Sequence, residues 1–312
     1  MTSPGEFPTD YQPRLVEGTI LLAVRGREEE EEFRQHRDRI YETPDPEERE
    51  ARFLAFNASW FERLGLDRPI RQALMEQPLI IEHTGSCVVS SARSRKDEGA
   101  DLYVSPQHIG GRSVGIRLRP ERFIDADRLL QFLRHELLHV ADMLDPSFNY
   151  LPHLPLSSAG PAHEQLLKNR YRVLWNVYVD GRLVRCGLAQ TEDRAERFAE
   201  FAVAFPMLGE RTVEAFERFF EGNGLTHGDL VSFATNPERA LGREREGPYP
   251  GERCSLCGFP THAFEREPDR LLAERVRARF PEWDPEHGLC RQCADLCRAW
   301  SPARVHSSPT HT

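Results

Sequence analysis

Between Asp125 and Pro146, apolar positions recur at helical steps: Leu129, Leu130, Leu133, Leu137, Val140, Ala141 and Leu144. Asp125 or Asp127 can cap the start and Pro146 stops it, so the spacing predicts one amphipathic helix. Upstream, residues from about 14 to 75 read as mainly helical, with a short strand at Thr19 to Val24 and a break at ETPDPE. The runs LIIEH, CVVSS, ADLYVS and SVGIRLR follow, separated by Gly85, Gly110 and Gly111, and predict a small sheet ahead of the helix. An edge strand there can add an extended peptide by main-chain hydrogen bonds, or can be purely structural.

Downstream, PSFNYLPHLPLSSAGPA is too irregular for helix or strand and reads as a long loop. A helix from about Glu164 to Asp180 is expected next, ended by a turn at Gly181. Another starts near Thr191, with Phe198, Phe201, Ala202 and Phe205 as its core stripe, Glu192, Glu196 and Glu200 on another face, and Pro206 at its end. These elements predict an α+β architecture: residues 1–75 as a tail and helical packing region, 76–235 as a core, 236–251 as a charged Pro- and Gly-rich linker, and 252–312 as a cysteine module and tail.

Composition narrows the setting. With 39% hydrophobic residues in 312, the chain can bury a sizeable core. No apolar run is long enough to span a membrane and the N-terminus lacks the pattern of a secretion signal, so a cytoplasmic location is expected. The net charge of −9 argues against membrane-surface and broad nucleic-acid binding. The acidic run Glu28 to Glu32 reads as a solvated face.

The chemistry lies on the first helix. His135, Glu136 and His139 spell HExxH, and four residues advance a helix by about 400°, so both imidazoles can reach one ion at about 2.0–2.1 Å. Zinc lowers the pKa of a water it binds towards ~7, and Glu136 beside it can act as general base against a peptide carbonyl. With 12 histidines in the chain, a chance HExxH on an ordinary core helix is the competing explanation. A catalytic zinc needs a third protein ligand. Asp145 lies about 240° beyond His139 and faces away, while Asp142, about 60° from His139, suits a carboxylate that orients an imidazole. The glutamates at 192, 196 and 200 share a face, and periodicity does not choose among them.

HELLHVAD (135–142) together with ERFAE (196–200) resembles the gluzincin-type zinc peptidases that include anthrax lethal factor and the Mlc-titrating factor peptidases. The resemblance covers these two motifs and their order. It implies a zincin-like catalytic domain, a small sheet plus active-site helices, with His135, His139 and Glu196 as zinc ligands and Glu136 as base. The repressor-cleaving peptidases, with a comparable ExxAxxFA pattern, would make Glu192 the ligand instead. Lethal factor places an oxyanion-stabilising Tyr seven residues before its ligand Glu, where this chain has Ala189. Tyr150, His153, His163 and Tyr178 are the remaining candidates for that task. LWNVYVDGRL is similar to the WNxxxD helix of peptidases linked to von Willebrand A modules, which makes Asp180 a reserve ligand, against the plainer reading of a helix-end residue before Gly181.

At the C-terminus, Cys254 and Cys257 form one CxxC and Cys290 and Cys293 another. Four thiolates can close a tetrahedral shell around a structural zinc, which predicts a treble-clef or zinc-ribbon-like module, with Cys297 as a spare thiol or alternative ligand. Cys87 and Cys186, each isolated, read as buried small hydrophobes. From Glu252 to Arg304 nine Arg balance nine acidic residues, so the module carries no net positive charge for phosphates. The expectation is therefore a zinc metallopeptidase, endopeptidase rather than exopeptidase, acting on a protein or peptide substrate with one catalytic and one structural Zn2+. Its rivals are a SprT-like DNA-associated protease and a non-catalytic zinc-binding scaffold.

Overall fold

A computed structural model describes residues 7–104, 111–152, 156–157, 160–189, 193–242, 252–261 and 263–299. The chain forms two compact units, residues 1–237 and 238–312.

The first unit opens with the strand β1 (Thr9–Tyr11) and five helices, α1 (Pro13–Val24), α2 (Glu29–Tyr41), α3 (Pro46–Arg63), α4 (Arg68–Met75) and α5 (Pro78–His83). Two expected strands are helical. In Thr19 to Val24 the buried positions continue the period of Leu15 and Val16, so Thr19, Ile20, Ala23 and Val24 complete the inward face of α1. LIIEH follows Pro78, whose fixed φ starts α5 at its first position, and the Thr84 hydroxyl donates to the Ile80 carbonyl at 2.6 Å to close it. The acidic run lies at the start of α2, and Glu32 accepts both Nη groups of Arg63 on α3.

Three expected strands are present: β2 (Cys87–Ser91), β3 (Gly99–Val104) and β4 (Arg112–Leu118). The sheet order is β1-β2-β4-β3, with β1, β2 and β4 parallel and β3 antiparallel at one edge. Cys87, Val89, Val114, Ile116 and Leu118 alternate onto one face and join a core that runs from Leu15 to Leu144. The helices before residue 75 thus share one core with the sheet.

The HExxH segment is α6 (Ala126–Leu144), capped by Asp125, whose side chain accepts the Arg128 N–H at 3.0 Å. Leu129, Leu133, Leu137, Val140 and Leu144 are buried, and the helix packs along β3 and on α4 and α5. The strand is tied at its start by Glu98, whose buried carboxylate accepts the Arg119 N–H at 3.1 Å and Arg122 Nη2 at 2.8 Å.

Next come α7 (Pro161–Arg185), α8 (Asp193–Ala204), α9 (Thr212–Phe220) and α10 (His227–Thr235). Here Gly181 is not a turn. It sits inside α7 because α9 crosses there: a Cβ at Gly181 would meet the Phe220 carbonyl oxygen at 1.9 Å. Phe201, Phe205, Phe216, Phe219, Phe220 and Phe233 fill the space between these helices.

The short α11 (Pro237–Ala240) reaches the second unit, which holds the paired strands β5 (Glu252–Arg253) and β6 (Pro260–Thr261), the pair β7 (Phe264–Glu265) and β8 (Leu289–Cys290), and helices α12 (Arg270–Arg279) and α13 (Arg291–Ala299). Its small core gathers Leu272, Val276, Trp283 and Leu289 around the cysteines. Among the described residues, no helix is long and apolar enough to cross a membrane.

Gly181→Ala must push backbone from backbone, so thermal unfolding is expected to show a loss of about 1–3 kcal/mol or more. Burial pulls the Glu98 carboxyl upward, but the Arg122 hydrogen bond and the Arg119 N–H outweigh it and hold it below the usual carboxylate range. A depressed folded value stabilises above the unfolded pKa of about 4.3 and that stability is lost as pH falls. Denaturant unfolding of Glu98→Gln is therefore expected to show a deficit of about 1.5–3 kcal/mol at pH 7 that narrows below about pH 4.

Candidate active site

Burying its leucine stripe leaves α6 presenting His135, Glu136 and His139 away from the leucines. The two Nε2 atoms lie 3.2 Å apart, and Asn176 Oδ1 of α7 lies 3.1 Å from His139 Nε2. Ligands bound at about 2.0–2.1 Å around a tetrahedral ion stand about 3.3–3.4 Å from one another, so the spacing of these atoms fits a metal between them. Asp180 Oδ1 is 2.6 Å from His135 Nδ1. A carboxylate accepting that N–H fixes the tautomer and leaves the Nε2 lone pair for a metal. Burial, and then His135 beside it, hold the His139 pKa well below its usual value, against the pull of the Asn176 hydrogen bond, so His139 is neutral, the form a ligand requires.

Glu136 faces β3. Its carboxylate takes the Ala100 N–H at 3.3 Å, and a Cβ at Gly99 would come within 3.0 Å of Oε2. Burial raises its pKa; His135, the Ala100 N–H, Arg122 and Arg197 each pull it back. A carboxyl so placed can exchange a proton at the edge of the sheet.

The groups that touch the two histidines come from α7, not from the glutamate ladder of α8. Glu196 is solvent-exposed. Among the described residues, no His, Cys, Asp or Glu joins His135 and His139 as a group of three metal-donor atoms. Glu192 lies outside the described residues. Glu200 pairs with Arg197, and Arg197 Nε donates to Asp180 Oδ2 at 2.6 Å. The side chain α8 sends to the centre is thus the arginine between the two glutamates of ERFAE. Asp180 stands one turn inside the end of α7 instead of at a terminal turn, and burial, which pushes its pKa up, is outweighed by His135 and Arg197, leaving it lowered.

Asp142 does not hold an imidazole. It is buried and accepts Trp175 Nε1 at 2.7 Å and both Nη groups of Arg182, at 2.8 and 2.5 Å. Trp175 in turn packs edge-on against His139, with ring centroids 4.5 Å apart, so Asp142 acts on that histidine through the indole. Of the oxyanion candidates, Tyr150 is half-buried against Trp175 and His227, its pKa raised by burial and by Asp101 of β3. His163 is exposed, its Nδ1 2.5 Å from the Ser157 hydroxyl, Tyr178 is buried under Arg182, and His153 lies outside the described residues. Sequence reasoning missed Asn176 and Arg197. The signal for Asn176 was its four-residue step to Asp180, which puts both on one face of α7.

In the second unit the donor sulfurs of Cys254, Cys257, Cys290 and Cys293 all lie within 4.8 Å of one another and form a group that can hold a metal ion. Cys257 and Cys290 sulfurs are 3.9 Å apart, close to the ~3.8 Å edge of a tetrahedron with 2.3 Å metal–sulfur bonds. The Cys290 N–H points at Cys254 Sγ at 3.2 Å and the Cys293 N–H at Cys290 Sγ at 3.3 Å. Burial pushes the Cys254 thiol up, but the N–H groups of Cys290, Cys257 and Leu256 bring it down to about 7. Gly258, at φ 71°, makes the tight turn after the first pair. Cys297 is buried in the core of the unit, outside the four. Cys87 is buried in the first unit, where burial raises its thiol to about 12, whereas Cys186 is exposed.

No protein-family model matches the chain, and no curated protein and no solved structure is significantly similar to it.

Metal analysis of the purified chain is expected to show two ions per molecule, falling to one in His135→Ala and, independently, to one in Cys254→Ser. One ion in the wild type would sink the two-site arrangement.

Proposed function

We propose that the first unit is a zinc-dependent peptidase whose active site is the crossing of α6, α7 and β3, and that the second unit carries a structural zinc. The observation that carries this reading is the convergence of His135 Nε2 and His139 Nε2 to 3.2 Å beside a half-buried Glu136 carboxylate at a sheet edge. Without a metal, a His139 Nε2–H can donate to His135 Nε2 and Asn176 Oδ1; with the proton on Nδ1 instead, the same three atoms stand close enough to share one ion.

His135 and His139 would hold the zinc, with Asn176 Oδ1 the nearest third donor and Asp180 behind His135. When bound there, zinc supplies Lewis-acid polarisation of a carbonyl and makes water a stronger acid. Glu136 takes the proton from the attacking water and returns it to the leaving amine, and its raised pKa suits both transfers. β3 is an edge strand, so an extended peptide could lie along its open side, beside Glu136 at Ala100. Tyr150, packed on the Trp175 that meets His139, is the oxyanion donor this arrangement favours among the sequence candidates. A small sheet plus helices, with the HExxH helix packed along the edge strand, supports the zincin-like expectation. In the second unit, a CxxC turn on one strand pair and a CxxC leading into α13 support the treble-clef expectation.

Glu136→Gln is the decisive variant. Zinc content is expected to stay at the wild-type level while hydrolysis of a quenched peptide library falls by 10²-fold or more. Unchanged turnover in Glu136→Gln would reject catalysis at this site and leave a scaffold.

A further inference from the structure

We infer that Arg197 is a positioning residue of the histidine centre, clamping the Asp180 carboxylate so that its other oxygen is held on His135. The inference rests on the zinc-peptidase reading and adds a role for α8 that neither the motif nor the chemistry assigned.

α8 is firmly placed. Phe201 and Phe205 are fully buried, Phe198 packs edge-on against Phe216 of α9, and Arg194 pairs with Glu217 and Glu221. With that anchoring, Arg197 turns inward to α7 and its side chain is only 22% exposed. Its Nε donates to Asp180 Oδ2 at 2.6 Å while Nη1 is bound by Glu200. A guanidinium is a rigid planar fork, so holding one nitrogen on Glu200 fixes the direction in which Nε meets Asp180.

Asp180 then has one oxygen on Arg197 and the other on His135 Nδ1, at 2.6 Å each. A carboxylate with both oxygens engaged on different helices has lost rotation about its terminal torsion. The His135 ring is aimed by that carboxylate, and its Nε2 is the atom that meets His139. Without Arg197, Asp180 swings on a single hydrogen bond and the ring swings with it. Lysine would keep the charge but offers a point contact in place of the fork.

Cobalt(II) is the probe, titrated into the full-length metal-free chain: thiolate charge-transfer bands report filling of the four-cysteine group, and a second equivalent of bound cobalt that adds no thiolate charge transfer reports the histidine centre. Arg197→Gln is expected to weaken cobalt binding at the histidine centre by about 10-fold or more, with binding at the cysteines unchanged. Arg197→Lys should fall between it and wild type. In an Asp180→Ala background the Arg197→Gln effect should vanish, because Arg197 acts only through that carboxylate. A cobalt affinity within twofold of wild type in Arg197→Gln, or an undiminished effect in the Asp180→Ala background, overturns the proposal. If Arg197→Gln does not fold, Arg197→Lys carries the test, and an affinity within twofold of wild type overturns it there. Wild-type protein that binds cobalt only at the cysteines instead defeats the peptidase reading itself, a result distinct from the failure of Arg197 alone.

Discussion

The first unit depends on how α7 is pressed against α6. Asp142 of α6 is buried with Trp175 and Arg182 of α7 supplying three N–H donors, a charged contact that fixes both the rotation and the register of one helix on the other. Breaking a buried pair of this kind typically costs about 3–5 kcal/mol, because a charge remains in the interior without a partner. With that register set, Trp175 lies against His139, Asn176 reaches its Nε2, and Asp180, one turn further on, meets His135. Gly181 lets α9 close on the other side of α7, so the helix is held from two directions.

Electrostatics follow from this crossing. His135, Asp180, Arg197 and Glu200 form a line of alternating partners across α6, α7 and α8. Such a line tolerates burial because each charge has a neighbour of opposite sign or a hydrogen bond. Glu136 stands apart from it, against the β3 edge, where burial outweighs the nearby positive groups and raises its pKa. The unit therefore keeps neighbouring carboxyls in two states: Asp180 held as an anion that orients a ring, Glu136 shifted towards exchange with a proton.

The second unit solves a different problem. Its strands are two residues long and its core is small, which is too little apolar surface to hold a fold of this size alone. Four converging sulfurs with N–H groups already directed at them supply the missing constraint once a metal is bound.

Local spacing determined much of this from sequence alone. The two histidines of HExxH and the two CxxC pairs must cluster in any structure that forms their helix and turns, because those separations are within a few residues. The cap at Asp125 and the strands β2, β3 and β4 were equally legible, since their signals are local. LIIEH and Thr19 to Val24 were misjudged as strands because short apolar runs do not distinguish strand from buried helix, and the prolines before them, with packing on α6 and α3, decided the matter. What reaches the histidines was legible only in part: Asp180 stood as a reserve candidate by resemblance, while Asn176 and Arg197 were not singled out. Glu196 and Asp180 each stand on a helix with an apolar side, and periodicity says which residues share a face without saying what that face meets. The crossing of α7 over α6 chose Asp180 and Asn176, turned Glu196 to solvent and brought in Arg197, because only the packed helices define which side chains stand within bonding distance of a ring nitrogen.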